Sequence, residues 1–379
     1  MAKWKKVKLG DVCSIQQSTT ELPEKVWLLN LDAIERGSRD VSFFYEIDKK
    51  DIPSSTIQFD DEMVLYSKLR PYLNKVILPM KAGVATSEIL PLRPKKDLII
   101  RTYLAEFLRS PSFVKHISTK VSGAKMPRVI ISEFLCSEIP LPAMEEQKKI
   151  AARLDAVSDL LAKQKQLLAE QDTLIQSLFY DMFGEHQLSQ QKEQWNKISD
   201  VAVVAGGSTP KTQTSEYWDG DLNWFTPAEL ENCSWYVYSS QRKITKAGVK
   251  SCHLEEFPIN TVLLSSRAPI GKLAIAREAF YCNQGFKNII CGETVNPIYL
   301  YHLLMYNINY MKSLGKGATF KEISKKIVED IKIPIPPLEL QEKFAAIVEQ
   351  IESEKSKIKS AIAETQTLFN ALMAEYFEE

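Results

Sequence analysis

The sequence predicts an α+β protein: two similar mixed α/β domains separated by two long helices that pair as an antiparallel coiled coil. Three observations lead there. The chain is written twice, because Ile139-Pro140-Leu141-Pro142, Gln147 and a long run ending Leu178-Phe179-Tyr180-Asp181-Met182-Phe183 return 194 positions later as Ile333-Pro334-Ile335-Pro336, Gln341 and Leu372-Met373-Ala374-Glu375-Tyr376-Phe377. Both long runs carry a heptad seam. The segment before each run mixes short β-like and helical stretches broken by turn clusters. The expected organisation is a domain over 1–145, a helix over 146–184, a second domain over 189–338 and a second helix over 339–379.

The helices are the firmest elements. Ile150, Leu154, Val157, Leu161, Gln164, Leu168, Gln171, Ile175, Leu178 and Met182 step by four and three, as a coiled-coil seam does. Adding 194 keeps the register through Phe344, Val348, Ile351, Lys355, Ile358, Ile362, Thr365, Phe369, Leu372 and Tyr376. Neither run holds an interior Gly or Pro, and each opens just after a proline pair. A helix of roughly 38 residues spans roughly 57 Å, too long for an average globular domain. Matching length and register predict that the two pair with each other, burying Leu154, Leu161, Leu168, Ile175, Val348, Ile358, Ile362 and Phe369. The polar positions Gln164, Gln171, Lys355 and Thr365 are expected to set register or orientation. Antiparallel pairing needs only the short link 184–194, with the domains at opposite ends of the pair, whereas a parallel pair needs a long crossover.

The globular segments repeat more loosely. Lys8-Leu9-Gly10-Asp11-Val12 answers Lys197-Ile198-Ser199-Asp200-Val201, and Gly123-Ala124 answers Gly317-Ala318. The stretch 64–75, with Arg70 and Lys75, answers 261–272, with Arg267 and Lys272. Residues 13–60 and 202–258 share almost nothing, the pattern of one scaffold carrying two recognition surfaces. Strands are expected at 63–67, 75–78, 261–265, 273–276 and 288–291, and helices at 100–108, 297–306 and 321–328.

Composition narrows the function. Lys and Arg number 48 and balance 48 Asp and Glu, yet 1–145 carries 22 basic residues against 18 acidic, 189–338 carries 17 against 14, and 339–379 carries 4 against 9. Mildly basic domains are compatible with phosphate contact where charge is segregated by face. No apolar stretch approaches a membrane span and no signal peptide is seen, so a cytoplasmic protein without a membrane partner is expected. The six cysteines form no C-x-x-C pair and read as reduced, mostly buried thiols. Four scattered histidines outline no metal site, and Cys252-His253, neighbours on a strand, would point to opposite faces. Asn296-Pro297-Ile298-Tyr299 is close to the Asn-Pro-Pro-Tyr of amino-group methyltransferases, but its third residue differs and no glycine-rich cofactor loop precedes it. It reads as an Asn cap with Pro at the first helical position. Gly315-Lys316-Gly317-Ala318-Thr319 lacks phosphate-loop spacing and reads either as a tight turn beside a DNA backbone or as a plain loop. No catalytic set stands out.

The duplicated design, the Ile-Pro-x-Pro…Gln opening of each helix and its aromatic exit resemble the specificity subunit of a type I restriction–modification system. Gly206-Gly207-Ser208-Thr209-Pro210, Tyr217-Trp218-x-Gly220-Asp221-x-x-Trp224-x-Thr226-Pro227, Ser265-x-Arg267-Ala268-Pro269-Ile270-Gly271-Lys272 and Asn283-Gln284-Gly285-Phe286 resemble anchors of its target-recognition domains. The first half departs from these wordings, with Lys68-Leu69-Arg70-Pro71-Tyr72 and Thr86-Ser87-Glu88 in their places. The resemblance covers essentially the whole chain. It implies a non-catalytic subunit that reads an asymmetric, bipartite site in double-stranded DNA, one half per domain. The helices would set the unread spacer and dock two modification subunits, adenine methyltransferases that bring S-adenosylmethionine, with translocase–endonuclease restriction subunits joining. No cofactor is expected on this chain. A rod of roughly 57 Å equals about 17 base pairs, an upper bound on the ruler.

The DNA-contact candidates are Arg70, Lys75, Arg267 and Lys272, basic at the same places in both halves, then Lys68, Asn283 and Gln284, whose side chains suit phosphates or base edges. Tyr217, Trp218 and Trp224 read mainly as packing aromatics, with Thr226 and Ser208 minor candidates. Phe183, Phe377 and the helix faces away from the seam are expected to meet the modification subunits. The competing readings are a two-headed protein scaffold that ignores DNA and a standalone DNA-modifying enzyme.

Overall fold

The computed structural model describes residues 4–37, 41, 43–230, 235–317 and 321–378. They form two units, 1–167 with 358–379 and 168–357, so each long helix passes through both.

In unit 1, alternating or fully apolar runs make two four-stranded sheets. One has the antiparallel order Cys13–Ile15, Ile89–Pro94, Val64–Ser67, Val76–Ile77. The other runs Tyr45–Asp48, Lys25–Leu29, Gly83–Thr86, Thr56–Phe59, with Lys25–Leu29 parallel to Gly83–Thr86. Val64–Ser67 is buried at every position, which is why it shows no apolar–polar alternation. Helix Arg101–Arg109 packs Leu104, Phe107 and Leu108 into the core beneath it.

Unit 2 repeats the plan with different outer strands. A five-stranded sheet runs Ala202–Ala205, Asn288–Cys291, Val262–Leu264, Leu273–Ala276, Tyr236–Val237, and a three-stranded sheet runs Lys243–Ile244, Trp218–Phe225, Tyr281–Cys282. Trp218–Phe225 runs parallel to Tyr281–Cys282, as Lys25–Leu29 does to Gly83–Thr86. Asn296 caps helix Pro297–Tyr306 by accepting from the Ile298 N–H at 2.9 Å, with Pro297 at the first turn. The helix expected at 321–328 is shorter, Lys325–Glu329. Glu322 is held in a bridge with Lys316, and Ser324 supplies the cap. Cys252 and His253 follow helix Lys246–Ser251 rather than lying on a strand.

The proline-rich opening of each long helix is built around a buried glutamine. Gln147 accepts from the Ile100 N–H and donates to the Leu98 and Pro142 carbonyls, each at 2.9 Å. Gln341 accepts from the Asn296 N–H at 2.8 Å and donates to the Thr294 and Pro336 carbonyls at 3.0 and 2.7 Å. Tyr103 and Tyr299 donate their hydroxyls to the Pro140 and Pro334 carbonyls. Each motif therefore settles backbone groups that a helix opening in the core would otherwise leave without partners.

The helices run Met144–Phe183 and Leu338–Phe377, 40 residues each. In unit 1 the opening of the first helix (Ile150, Ala151, Leu154) shares a core with the close of the second (Met373, Tyr376, Phe377), and Arg153 donates to the Tyr376 hydroxyl at 3.1 Å. In unit 2 the close of the first (Ile175, Phe179, Phe183) shares a core with the opening of the second (Phe344, Val348, Ile351). The pair is antiparallel in each unit. Leu154, Leu161, Ile175 and Val348 are buried, and Leu168, Ile358, Ile362 and Phe369 half-buried. Lys355 occupies the unit 2 seam between Asp172, at 2.6 Å, and Glu352. Burial opposes its charge, but the two carboxylates outweigh that and raise its pKa.

Phe183 and Phe377 depart from expectation. Phe183 packs on Tyr299 at 4.8 Å and Phe377 on Tyr103 at 5.5 Å between ring centroids, so both are buried within their own units rather than offered to a partner. Their apolar area is better satisfied by the adjacent aromatic core.

Candidate nucleic-acid interface

The seven candidate contacts separate by what their side chains already hold. In unit 1 the turn after Val64–Ser67 brings Arg70 to the surface. Its backbone is left-handed, with φ 51°, fixed by its N–H donating to the Pro127 carbonyl at 2.8 Å and its carbonyl accepting from Leu73 at 2.9 Å. The side chain is exposed on this fixed base. Lys68 lies two residues earlier, its N–H on the Glu88 carbonyl and its carbonyl accepting from Val129. The Glu88 carboxylate takes the Arg128 guanidinium by its Nε at 3.0 Å and Nη2 at 2.8 Å, and that hydrogen bonding holds its pKa below the usual carboxylate range.

Lys75 is not free. Its ammonium donates to the Leu31 carbonyl at 2.6 Å, and burial lowers its pKa. Lys272 does the same in unit 2, donating to the Pro227 carbonyl at 2.8 Å. Leu31 and Pro227 each stand two residues beyond the strand that pairs in parallel, so the duplicated lysine pins the same turn twice. Asn283 is also occupied, accepting from the Gly285 N–H at 2.9 Å in its own turn.

Arg267 and Gln284 remain at the surface of unit 2, but Arg267 does not stand at the place of Arg70. It bridges Glu322 as Leu69 bridges Arg128, and Ala268, left-handed at φ 51° before Pro269, is the counterpart of Arg70 before Pro71. Arg267 stands 3.9 Å from Glu322, which also takes Lys287 at 3.2 Å. Gln284 is exposed and accepts from the Thr209 hydroxyl at 2.6 Å, joining the turn 283–285 to the loop 206–211. That loop lies against the strands. A Cβ on Gly207 would come within 1.8 Å of the Cys282 carbonyl oxygen, so only glycine permits the approach. Trp224 donates its indole N–H to the Ser208 carbonyl and Trp218 to the Lys211 carbonyl, both at 3.2 Å. The two indoles are buried and meet edge to face at 4.9 Å, so they pack and clamp the loop. The Arg242 guanidinium lies on the outer face of Trp218, 3.4 Å from its centroid.

Arg128, Lys287 and Arg242 were not singled out from sequence. Arg128 and Lys287 find their acid partners 40 and 35 residues away, a pairing no local pattern announces. Arg242 meets Trp218 only because Lys243–Ile244 folds onto Trp218–Phe225. Residues 318–319 of the glycine motif lie outside the described residues, while Lys316 exchanges two 3.0 Å backbone bonds with Glu322. Burial drives the thiols of Cys13, Cys282 and Cys291 up to about 12, keeping them protonated.

A model of the type I restriction modification DNA specificity domain matches residues 1–171 and again 192–365. The chain belongs to this specificity family. A stretch of 171 residues is 42% identical to the type I restriction enzyme MjaIX specificity subunit of Methanocaldococcus jannaschii, covering 44% of this chain and 40% of that protein. A longer stretch is 27% identical to the MjaX specificity subunit of the same organism, described as putative, covering 72% of this chain and 68% of the relative. The chain thus matches less than half the length of the first relative. Among solved structures, the type I restriction–modification S subunit from M. genitalium shares the fold at a TM-score of 0.62 and 14% identity, covering all of this chain and 96% of the other. A chain from a type I system complex does so at 0.59 and 22%, covering all of this chain and 98% of the other. Two matches to one specificity model within one chain accord with the two units.

Proposed function

We propose that this chain is the sequence-specific DNA-recognition subunit of a type I restriction–modification complex. Each unit reads one half of an asymmetric, bipartite target in double-stranded DNA, and the paired helices set the gap and hold the partners. The partners are two adenine methyltransferase subunits, which bring S-adenosylmethionine, and the translocase–endonuclease subunits. The specificity chain contributes no chemistry and works in the cytoplasm; among the described residues no helix is long and apolar enough to cross a membrane.

The observation that carries this reading is one scaffold used twice with different charged groups at matching places. Arg128 and Glu88 pair in unit 1 where Glu322 faces Lys287 and Arg267 in unit 2. An asymmetric target requires that combination, and a symmetric one does not. Arg70, Lys68, Arg267 and Gln284 stand as the first contacts to test, with Lys75, Lys272 and Asn283 acting by positioning backbone. Co-expression with a type I methyltransferase subunit, followed by mapping of methylated adenines across the host genome, tests it. A split motif is expected. A stable complex that leaves no motif would falsify the reading and favour a scaffold without DNA.

A further inference from the structure

Taking DNA recognition as the activity, we infer that Arg242 is a direct DNA contact of unit 2, mounted on Trp218. Most cations named in this unit have another task. Lys272 holds the Pro227 carbonyl, Lys287 and Arg267 face Glu322, and Lys243 donates to Asn223 and Ser239. Arg277 lies on Tyr236 but is paired with Glu349. Arg242 is exposed, and among the described residues its guanidinium has no carboxylate or carbonyl partner.

What it has instead is a fixed platform. Trp218 is buried and cannot turn, because its indole N–H is committed to the Lys211 carbonyl and its ring is wedged against Trp224. The Arg242 backbone is fixed as well. Its carbonyl accepts from the Ser240 hydroxyl at 2.6 Å, and the same hydroxyl accepts from the Trp224 N–H at 2.8 Å. A planar guanidinium resting face-down on an indole keeps its N–H edge outward and loses less freedom on meeting an acceptor. That edge is a fork of donors, matched to the paired acceptors of guanine O6 and N7 or of a phosphate group. The indole that carries Arg242 also anchors the loop 206–211, which Thr209 ties to Gln284. One tryptophan therefore sets the position of a cation and of a recognition loop together.

The test uses the assembled complex with Arg242→Ala, Arg242→Gln and Arg242→Lys, reading the methylated motif, duplex binding from low to moderate salt, and thermal unfolding. Loss of a base contact relaxes the motif in one half only and weakens binding roughly ten- to a hundredfold. Loss of a phosphate contact leaves the motif intact and lowers the salt slope by about one. Either outcome supports the proposal when unfolding is unchanged and Arg242→Lys recovers only part of the effect. Wild-type motif, affinity and slope in Arg242→Ala and Arg242→Gln overturn the Arg242 contact while leaving DNA recognition standing. So does a loss that affects both halves equally or tracks a fall in melting temperature. A wild-type complex without any motif removes both readings.

Discussion

Arg128 in unit 1 and Glu322 in unit 2 occupy the same place with opposite charge. The backbone shows the equivalence. Val129 donates to the Lys68 carbonyl as Ile323 donates to that of Ser266, and Lys68 donates to the Glu88 carbonyl as Ser266 donates to that of Gly285. The side chains then diverge, Arg128 holding Glu88 and Glu322 taking Lys287. At the helix openings nothing diverges, and Gln147 and Gln341 make the same three bonds. A buried side chain that satisfies three backbone groups has no substitute of equal shape and donor pattern. A half-buried pair on a backbone that satisfies itself can reverse sign together. Surface charge can change there at little cost to the fold.

The largest way to break this symmetry is at the glutamines. Gln147→Leu and Gln341→Leu each strand one buried N–H and two carbonyls, and should destabilise by about 3–5 kcal/mol. The two losses should be similar, measured by urea unfolding, with hydrogen exchange locating each in its own unit. Unequal losses would show that the openings are less alike than their bonds.

His302 sharpens the comparison next, because it sits in the unit 2 core alone. It is wedged against Trp235 and Phe344 with neither ring nitrogen hydrogen-bonded among the described residues, and burial, then the Lys355 charge, lower its pKa to about 3. The unfolded chain binds a proton near the ordinary value of about 6.5, where the folded chain does not. Stability contributed by neutral His302 is therefore complete above that value and falls away as pH drops from about 6.5 towards 3. His302→Met should flatten that dependence by on the order of a few kcal/mol, and acid titration of hydrogen exchange in unit 2 measures it. An unchanged slope would assign the acid sensitivity to other groups.

Lys75→Met and Lys272→Met should each remove about 1–2 kcal/mol, the loss of one charged hydrogen bond to a carbonyl. Each should loosen only its own turn, near Leu31 or Pro227, and leave the salt slope of DNA binding unchanged. A slope lowered by about one would instead return these lysines to the phosphate contacts. The smallest effect belongs to the charge pair. Arg128→Glu with Glu88→Lys gives unit 1 the polarity of unit 2, and a double-mutant cycle should recover on the order of 1 kcal/mol because the pair is only partly covered from solvent. Its effect on the target motif should exceed its effect on stability.

Several elements were legible in the sequence for one reason: local periodicity encodes them. The heptad seams, the strands at Val262–Leu264 and Leu273–Ala276 and the Asn296 cap depend on residues a few positions apart. The duplication was equally plain, because buried motifs such as Ile-Pro-x-Pro…Gln repeat almost letter for letter. What each surface side chain is free to do was decided only in three dimensions. Lys75 and Lys272 look like candidate DNA contacts until the Leu31 and Pro227 carbonyls, 44 and 45 residues away in sequence, accept their hydrogen bonds. Arg242 looks unremarkable until Trp218 lies beneath it. Spacing along the chain sets which face a residue occupies. Whether its charge is already satisfied depends on distant partners, and only folding brings those together.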